Sequence, residues 1–258
     1  MVKKDNYICL VAPAWSTEWI LGITALCVCG LTLNFSEEPE TIQSDLREVA
    51  PDFVFFAARQ WEDLSSQVQA KIADPRLLAR AVFNLALKIG YKMVDIYGQH
   101  KKSNPFLRLL YGIANLVVMT QLRDKMGLSK AKYCYSAGGY ISPDSFRFFR
   151  AIGLNLKNLY GLTEITPLTF HRDEDVVYSS IGPLCHGVEG RVTNEGEFYF
   201  RDPDITLVNY YKMPEEYAKT VQNGWVHTGD AGRITDDGQV IFWDRVKELA
   251  EVGEGKKY

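Results

Sequence analysis

Apolar and polar positions along the first half of the chain fall into alternating helical and extended blocks. Glu18 to Cys27 carries apolar residues at helical spacing, and Val28-Cys-Gly-Leu-Thr-Leu-Asn-Phe35 reads as a short buried strand closed by the polar turn Ser36-Glu-Glu-Pro39. The pattern repeats as a charged helix over Glu40 to Val49 and an apolar strand over Pro51 to Phe56. From Trp61 to Asp124 the chain is rich in Ala, Leu, Lys and Arg and is broken around Ser103-Asn-Pro105, which predicts a long helical insertion. Strand, helix and strand follow at Lys130 to Tyr135, Pro143 to Ile152 and Leu154 to Leu159, the helix opened by Ser142 as N-cap with Pro143 at its first position. Alternation of this kind predicts an α/β fold, with layered parallel strands flanked by helices.

Beyond Gly187 the texture changes to short alternating strands, such as Gly196 to Arg201 and Gln239 to Trp243, separated by Asp-Pro, Asn-Gly and Asp-Gly turns. The expected organisation is an α/β part over 1–182 containing the insertion at 61–124, a β-rich subdomain over 183–243, and a linking segment at 244–258.

Composition narrows the class without naming a function. A chain of 258 residues with 47% hydrophobic and 24% charged content can bury a sizeable core, and disorder is not expected. Its net charge of −3 supplies no basic field for nucleic acid. The five cysteines, Cys9, Cys27, Cys29, Cys134 and Cys185, are odd in number and sit mostly in apolar runs, as buried thiols of a reducing, cytoplasmic compartment do. Cys27 and Cys29 lack the partners and spacing of a closed zinc site. The N-terminus shows no secretory pattern, and the apolar run Trp19 to Leu33 is shorter than the ~20 residues of a spanning helix, which leaves peripheral contact as the expected relation to a membrane.

Three constellations carry chemistry. Ser136-Ala-Gly-Gly-Tyr-Ile-Ser-Pro-Asp144 lies between a strand and a helix, where paired glycines let a planar ligand or a phosphate approach the backbone, although such turns are equally common as plain connections. Tyr160-Gly-Leu-Thr-Glu164 ends a strand with an aromatic ring, a hydroxyl and a carboxylate, a set able to stack on a base, bond a phosphate and hold Mg²⁺; the alternative is a core tyrosine and a solvated loop charge. Gly224-Trp-Val-His-Thr-Gly-Asp230 is followed by Asp244-Arg-Val-Lys247. Asp230, placed after a Thr-Gly turn, suits a carboxylate accepting from two vicinal ribose hydroxyls, and Arg245 offers a planar fork. Taken alone, these read more readily as a hairpin turn and a surface ion pair.

Together and in this order, the motifs resemble the AMP-binding, adenylate-forming superfamily of acyl-CoA synthetases, luciferases and peptide-synthetase adenylation domains. The resemblance to its long-chain fatty acid–CoA ligase branch runs through Ala12-Pro-Ala-Trp15, Asn34-Phe-Ser-Glu-Glu-Pro-Glu-Thr41, Leu46-Arg-Glu48, Arg59-Gln-Trp-Glu62 and Ser136-Ala-Gly-Gly139. It implies that Gly138 and Gly139 line the adenine and acyl pocket, Tyr160 packs on adenine, Thr163 contacts the α-phosphate and Glu164 holds Mg²⁺. It further implies that Asp230 and Arg245 bind the ribose of AMP and that Lys247 marks a hinge to a small C-terminal domain. The implied substrates are a fatty acid, ATP and CoA, converted through acyl-AMP to acyl-CoA, AMP and pyrophosphate.

Against the family pattern, the Ser/Thr/Gly-rich phosphate loop and the C-terminal domain with its adenylation lysine are expected to be absent, so the chain reads as a partial enzyme without turnover of its own. Asn209 stands where the family has glycine, and Tyr140 where it has a small residue or proline. A non-catalytic AMP- or acyl-binding module is the alternative of a different class.

Overall fold

The computed structural model of the chain describes residues 4–11, 14–72, 77–98, 103–173 and 176–253. Ala12 and Pro13 of the first resembling motif lie outside the described residues. The chain divides into two compact units, Met1–Lys157 and Asn158–Tyr258.

In the first unit, strands β1 (Asn6–Cys9), β2 (Thr32–Phe35), β3 (Phe53–Ala57) and β4 (Tyr133–Ala137) form parallel pairs in the order β2-β1-β3-β4. Helix α1 (Ser16–Cys29) joins the first two and α2 (Ile42–Val49) joins β2 to β3. Because β2 lies on one side of β1 and β3 on the other, the winding reverses between β1 and β3, the place where α/β sheets open a crevice at their strand ends. The expected strand over Val28 to Phe35 begins only at Thr32: Val28 and Cys29 complete the helix, and Gly30 at φ 69° ends it. The left-handed conformation that a helix stop requires is cheap for glycine, and it outweighs the β-propensity of Val28.

The insertion is helical as expected, in α3 (Ala58–Ile72), α4 (Leu77–Gly98) and α5 (Pro105–Lys125), and Asn104 caps the last by accepting from the Phe106 backbone N–H at 2.9 Å. Helix α5 is long and apolar enough, by length and composition, to cross a membrane, whereas α1 is shorter. Trp61 on α3 is fully buried between Phe56 and Phe149 and donates from its indole N–H to the Tyr135 carbonyl at 3.0 Å. Beside it, Glu62 accepts from the Ser142 backbone N–H and the Ser145 hydroxyl, both at 2.5 Å, at the start of α6 (Pro143–Ala151). A carboxylate there satisfies N-terminal donors and complements the helix dipole. Of the five cysteines, all free thiols, only Cys134 is buried; Cys27 on α1 is exposed, because its position in the helix turns it outward despite its apolar neighbours.

Strand β5 (Leu156–Leu162) runs from the first unit into the second, where it pairs antiparallel with β6 (Ile165–Phe170). The rest of the second unit is an antiparallel sheet in the order β11-β10-β8-β7, made of β7 (Glu189–Val192), β8 (Glu197–Arg201), β10 (Trp225–Ile234) and β11 (Val240–Arg245). Helix α7 (Pro214–Thr220) leads into β9 (Val221–Gln222), a short partner of β10 through the Asn223-Gly224 turn, and α8 (Val246–Gly253) follows β11. Phe198, Phe200, Val226 and Val240 form its core with Ile165 and Leu168. A buried chain of polar groups ties this unit together. The His171 Nδ1 accepts from the Asn158 backbone N–H at 3.0 Å, its Nε2 meets the Ser180 hydroxyl at 3.0 Å, and that hydroxyl donates to Gln239 at 2.6 Å.

Candidate functional site

The Tyr160–Glu164 motif is a hairpin connection. Leu162 pairs with Ile165, so Thr163 and Glu164 occupy a two-residue turn, and the register shifts between Tyr160 and Leu162. Gly161 sits at that shift, where a Cβ would come within 2.4 Å of the Thr166 hydroxyl, so the local geometry demands glycine. Thr163 is exposed, and Glu164 accepts at Oε1 from the Tyr210 hydroxyl at 2.6 Å. Among the described residues its Oε2 accepts no hydrogen bond, and no group of three or more His, Cys, Asp or Glu side chains is placed to hold a metal.

Asp230 was expected after a Thr-Gly turn; it lies instead within the ten-residue strand β10, at a bulge where the pairing with β8 shifts between His227 and Ala231. Gly229 at φ 69° makes that irregularity possible, and its N–H donates to Glu197 at 2.9 Å. The bulge turns Asp230 inward, where it is 4% exposed. Its Oδ2 accepts from the Tyr160 hydroxyl at 2.6 Å. The Arg245 Nε lies 3.0 Å from Oδ1 but off the hydrogen-bonding direction, so Oδ1 has charge compensation while its lone pairs accept no hydrogen bond among the described residues. Arg245, opposite Asp230 in the β10–β11 ladder, also donates to the Thr228 carbonyl at 3.3 Å.

Burial raises the Asp230 carboxyl above its ordinary value, with Tyr160 and Arg245 acting in the opposite direction. The same burial, with Asp230 beside it, pushes the Tyr160 phenol well up, so the proton stays on tyrosine. The Tyr160 ring packs at 6.2 Å from Phe200 and 6.3 Å from Phe242. Chemically this is a mostly buried carboxylate with one oxygen lacking a hydrogen-bond partner among the described residues, beside an aromatic surface and a half-exposed guanidinium.

In the first unit, Gly138 and Gly139 follow the C-terminal end of β4. Gly138 has φ +68° and lies under the Trp15 indole, where a Cβ would come within 2.4 Å of the ring; Gly139 lies next to Ala58, just past β3. Tyr140, beside them, is 50% exposed. Ser142 caps α6 as expected, accepting from the Ser145 backbone N–H at 3.2 Å.

The structure thus brings Tyr160, Asp230 and Arg245 into one cluster and places Thr163 and Glu164 in the hairpin turn. Gly138 and Gly139 sit on the first unit, and Lys247 is exposed in the first turn of α8. Sequence reasoning missed Tyr210, Thr228 and Glu197, each bonded to a motif residue, and the seating of Trp15 on Gly138. Their partners lie between two and 123 positions away, and only the Thr228 link, inside the Trp225–Asp230 motif, was open to a local reading.

Comparison with known proteins bears on the family and the fold. The chain is 26% identical over 255 residues to fadD11 of Mycobacterium tuberculosis, a protein named as a fatty-acid–CoA ligase, covering 98% of this chain and 44% of that one. It is 25% identical over 234 residues to a Xenopus laevis long-chain-fatty-acid–CoA ligase (86% of this chain, 31% of that protein). It therefore spans less than half the length of these relatives. Among solved structures, a benzoate CoA ligase from Burkholderia xenovorans superposes with a TM-score of 0.63 at 17% identity, over 96% of this chain and 42% of that one, a likeness of fold. The family described as AMP-binding enzyme matches residues 1–204, and the chain, with its α/β sheet flanked by helices and its separate β-rich sheet, belongs to that family.

Proposed function

We propose that this chain is part of an ATP-dependent long-chain fatty acid–CoA ligase and supplies the AMP-holding surface on which a fatty acid is activated as acyl-AMP before transfer to CoA. The observation that carries the reading is the Tyr160–Asp230–Arg245 cluster, in which a buried carboxylate has one oxygen bonded by a phenol and the other without a hydrogen-bond partner among the described residues, while its charge is compensated. A ribose presents two such donors, and Arg245 adds charge toward a phosphate. Tyr160 offers its ring to adenine and Thr163 its exposed hydroxyl to the α-phosphate. Long-chain specificity rests on the naming of the relatives, and the family resemblance is what makes Lys247, in the first turn of α8, the hinge residue.

Glu164 fits the share of a Mg²⁺ site that a protein usually provides, since one carboxylate with an open oxygen suffices when phosphates and water fill the other positions. Mg²⁺ bound there neutralises phosphate charge; Glu164 holds its place in the turn and Thr163 orients the phosphate. Because the chain spans only 31–44% of the length of these relatives, we assign it nucleotide binding and assign turnover to the complete enzyme.

Two measurements test this. The chain binds AMP, and Glu164→Gln weakens Mg-ATP binding ~10-fold or more while AMP binding is kept, because the amide loses the charge a hard cation needs. Equal losses for both nucleotides would remove the metal role. With Mg-ATP, palmitate and CoA, the chain alone releases no pyrophosphate; turnover like that of a complete synthetase would overturn the partial-enzyme reading.

A further inference from the structure

Tyr210 does not belong to any of the three motifs, yet its hydroxyl lies 2.6 Å from Glu164 Oε1, 46 positions away. Contacts on both sides of Tyr210 keep it there. The Leu207 backbone N–H donates to the Glu164 carbonyl at 2.7 Å, and Thr206 forms a backbone bridge with Ile165. Thr206 is in turn tied to Asp202 through its backbone N–H at 3.1 Å and its hydroxyl at 2.5 Å. On the other side, the Met213 N–H closes back on the Tyr210 carbonyl at 3.2 Å, and Lys212 takes a left-handed conformation at φ +58°. The segment from Asp202 to Met213 is thereby strapped to the turn that carries Glu164.

The chemistry of the contact is directional. The Tyr210 phenol donates its proton in a hydrogen bond to Glu164 Oε1. A phenol–carboxylate bond of this length is charge-assisted. One lone pair of Glu164 Oε1 is therefore taken, and Oε2, which accepts no hydrogen bond among the described residues, is the oxygen left freer to meet a cation. A carboxylate offering a single oxygen suits Mg²⁺, which demands octahedral geometry and coordinates carboxylates sparingly; Ca²⁺ accepts both oxygens of one carboxylate and a looser shell.

We propose that Tyr210 is a positioning residue for the divalent cation. By holding Oε1 it fixes Glu164 as a one-oxygen ligand and tunes the nucleotide site toward Mg²⁺ over Ca²⁺. The proposal rests on the cation role of Glu164 given above and extends it to a residue outside the motifs and to a selectivity.

The test is ATP binding by the 258-residue chain, titrated with MgCl₂ and separately with CaCl₂, for the unmodified chain, Tyr210→Phe and Glu164→Gln, with AMP binding measured alongside. Phenylalanine keeps the ring of a half-buried side chain, and retained AMP affinity reports that the variant is folded. Tyr210→Phe is expected to raise the Mg²⁺ concentration for half-maximal ATP binding ~10-fold, the usual cost of removing a residue that orients a metal ligand, and to leave the Ca²⁺ dependence and AMP affinity within about twofold. If Glu164→Gln shifts the Mg²⁺ requirement and Tyr210→Phe does not, the positioning role is overturned and the cation role of Glu164 stands. If Tyr210→Phe weakens Mg²⁺ and Ca²⁺ dependence equally, or lowers AMP affinity as well, the residue is merely structural. If Glu164→Gln leaves the Mg²⁺ requirement unchanged, or the unmodified chain shows no Mg²⁺-dependent ATP binding, the reading beneath the proposal falls and takes it along.

Discussion

At Gly138 the backbone is held by shape, and at Asp230 a side chain is held by charge. The glycine sits at φ +68° with the Trp15 ring where a Cβ would be, in surroundings without an ionic partner. The aspartate is 4% exposed, bonded by a phenol and compensated by a guanidinium. A steric site of this kind fails by volume and is indifferent to pH. An electrostatic one tolerates changes of volume, while its stability depends on protonation.

The largest stability effect expected is at the steric site. Gly138→Ala should destabilise the first unit by ~2–3 kcal/mol, from the left-handed φ and the crowding against Trp15 together. Paired with Trp15→Leu, which removes the obstructing ring, the same change should cost only ~1 kcal/mol. Chemical denaturation of the four chains checks this; zero coupling between the two positions would break the steric half of the comparison.

Asp230→Asn comes next. Loss of a charged acceptor should lower AMP affinity ~10-fold, measured by calorimetric titration. Stability should move the other way. Burial raises the carboxyl in the folded chain, so the folded state holds its proton more strongly than the unfolded state. Stability from this group is then full at pH below ~3.9 and declines as pH rises through the raised folded value. The asparagine variant lacks that decline, so it should gain on the unmodified chain between pH 4 and pH 7 in urea titrations. A variant losing stability over that range would show that the ion pair with Arg245 outweighs burial.

Tyr160→Phe removes one hydroxyl from the same cluster and should cost ~1 kcal/mol. It also removes a group that holds the Asp230 carboxyl down, so the pH-dependent decline should extend to higher pH. The smallest effect belongs to Lys219→Ala. Its ion pair with Glu216 at 2.7 Å is exposed on both sides, and the change should stay within ~0.5 kcal/mol by thermal unfolding.

Much of the fold was legible because its signals are local. Ser142-Pro143 opens α6, Asn104-Pro105 opens α5, and Asn223-Gly224 turns β9 into β10, each through a preference written in two adjacent residues. Where two local signals competed, as in Val28 to Phe35, the glycine stop at Gly30 set the boundary and the strand began later than apolar character suggested. The division between units was not legible in the same way. Strand β5 has the composition of the α/β half, and the break between units falls inside it, after Lys157.

For the candidate site, Tyr160, Glu164, Asp230 and Arg245 were named from residue types that suit a nucleotide, their order along the chain and the family resemblance. Their geometry was decided by long-range register. A bulge at Gly229 turns Asp230 inward across from Arg245, and the folding of β5 against this sheet brings Tyr160 within 2.6 Å of a residue 70 positions away. Tyr210 carried no signal of its own, being one tyrosine among 14 in the sequence. Its meeting with Glu164 depends on the Thr206–Ile165 bridge and the turn at Lys212, contacts between distant segments that only the folded chain makes, because composition and periodicity report a residue's neighbours along the chain and not across it.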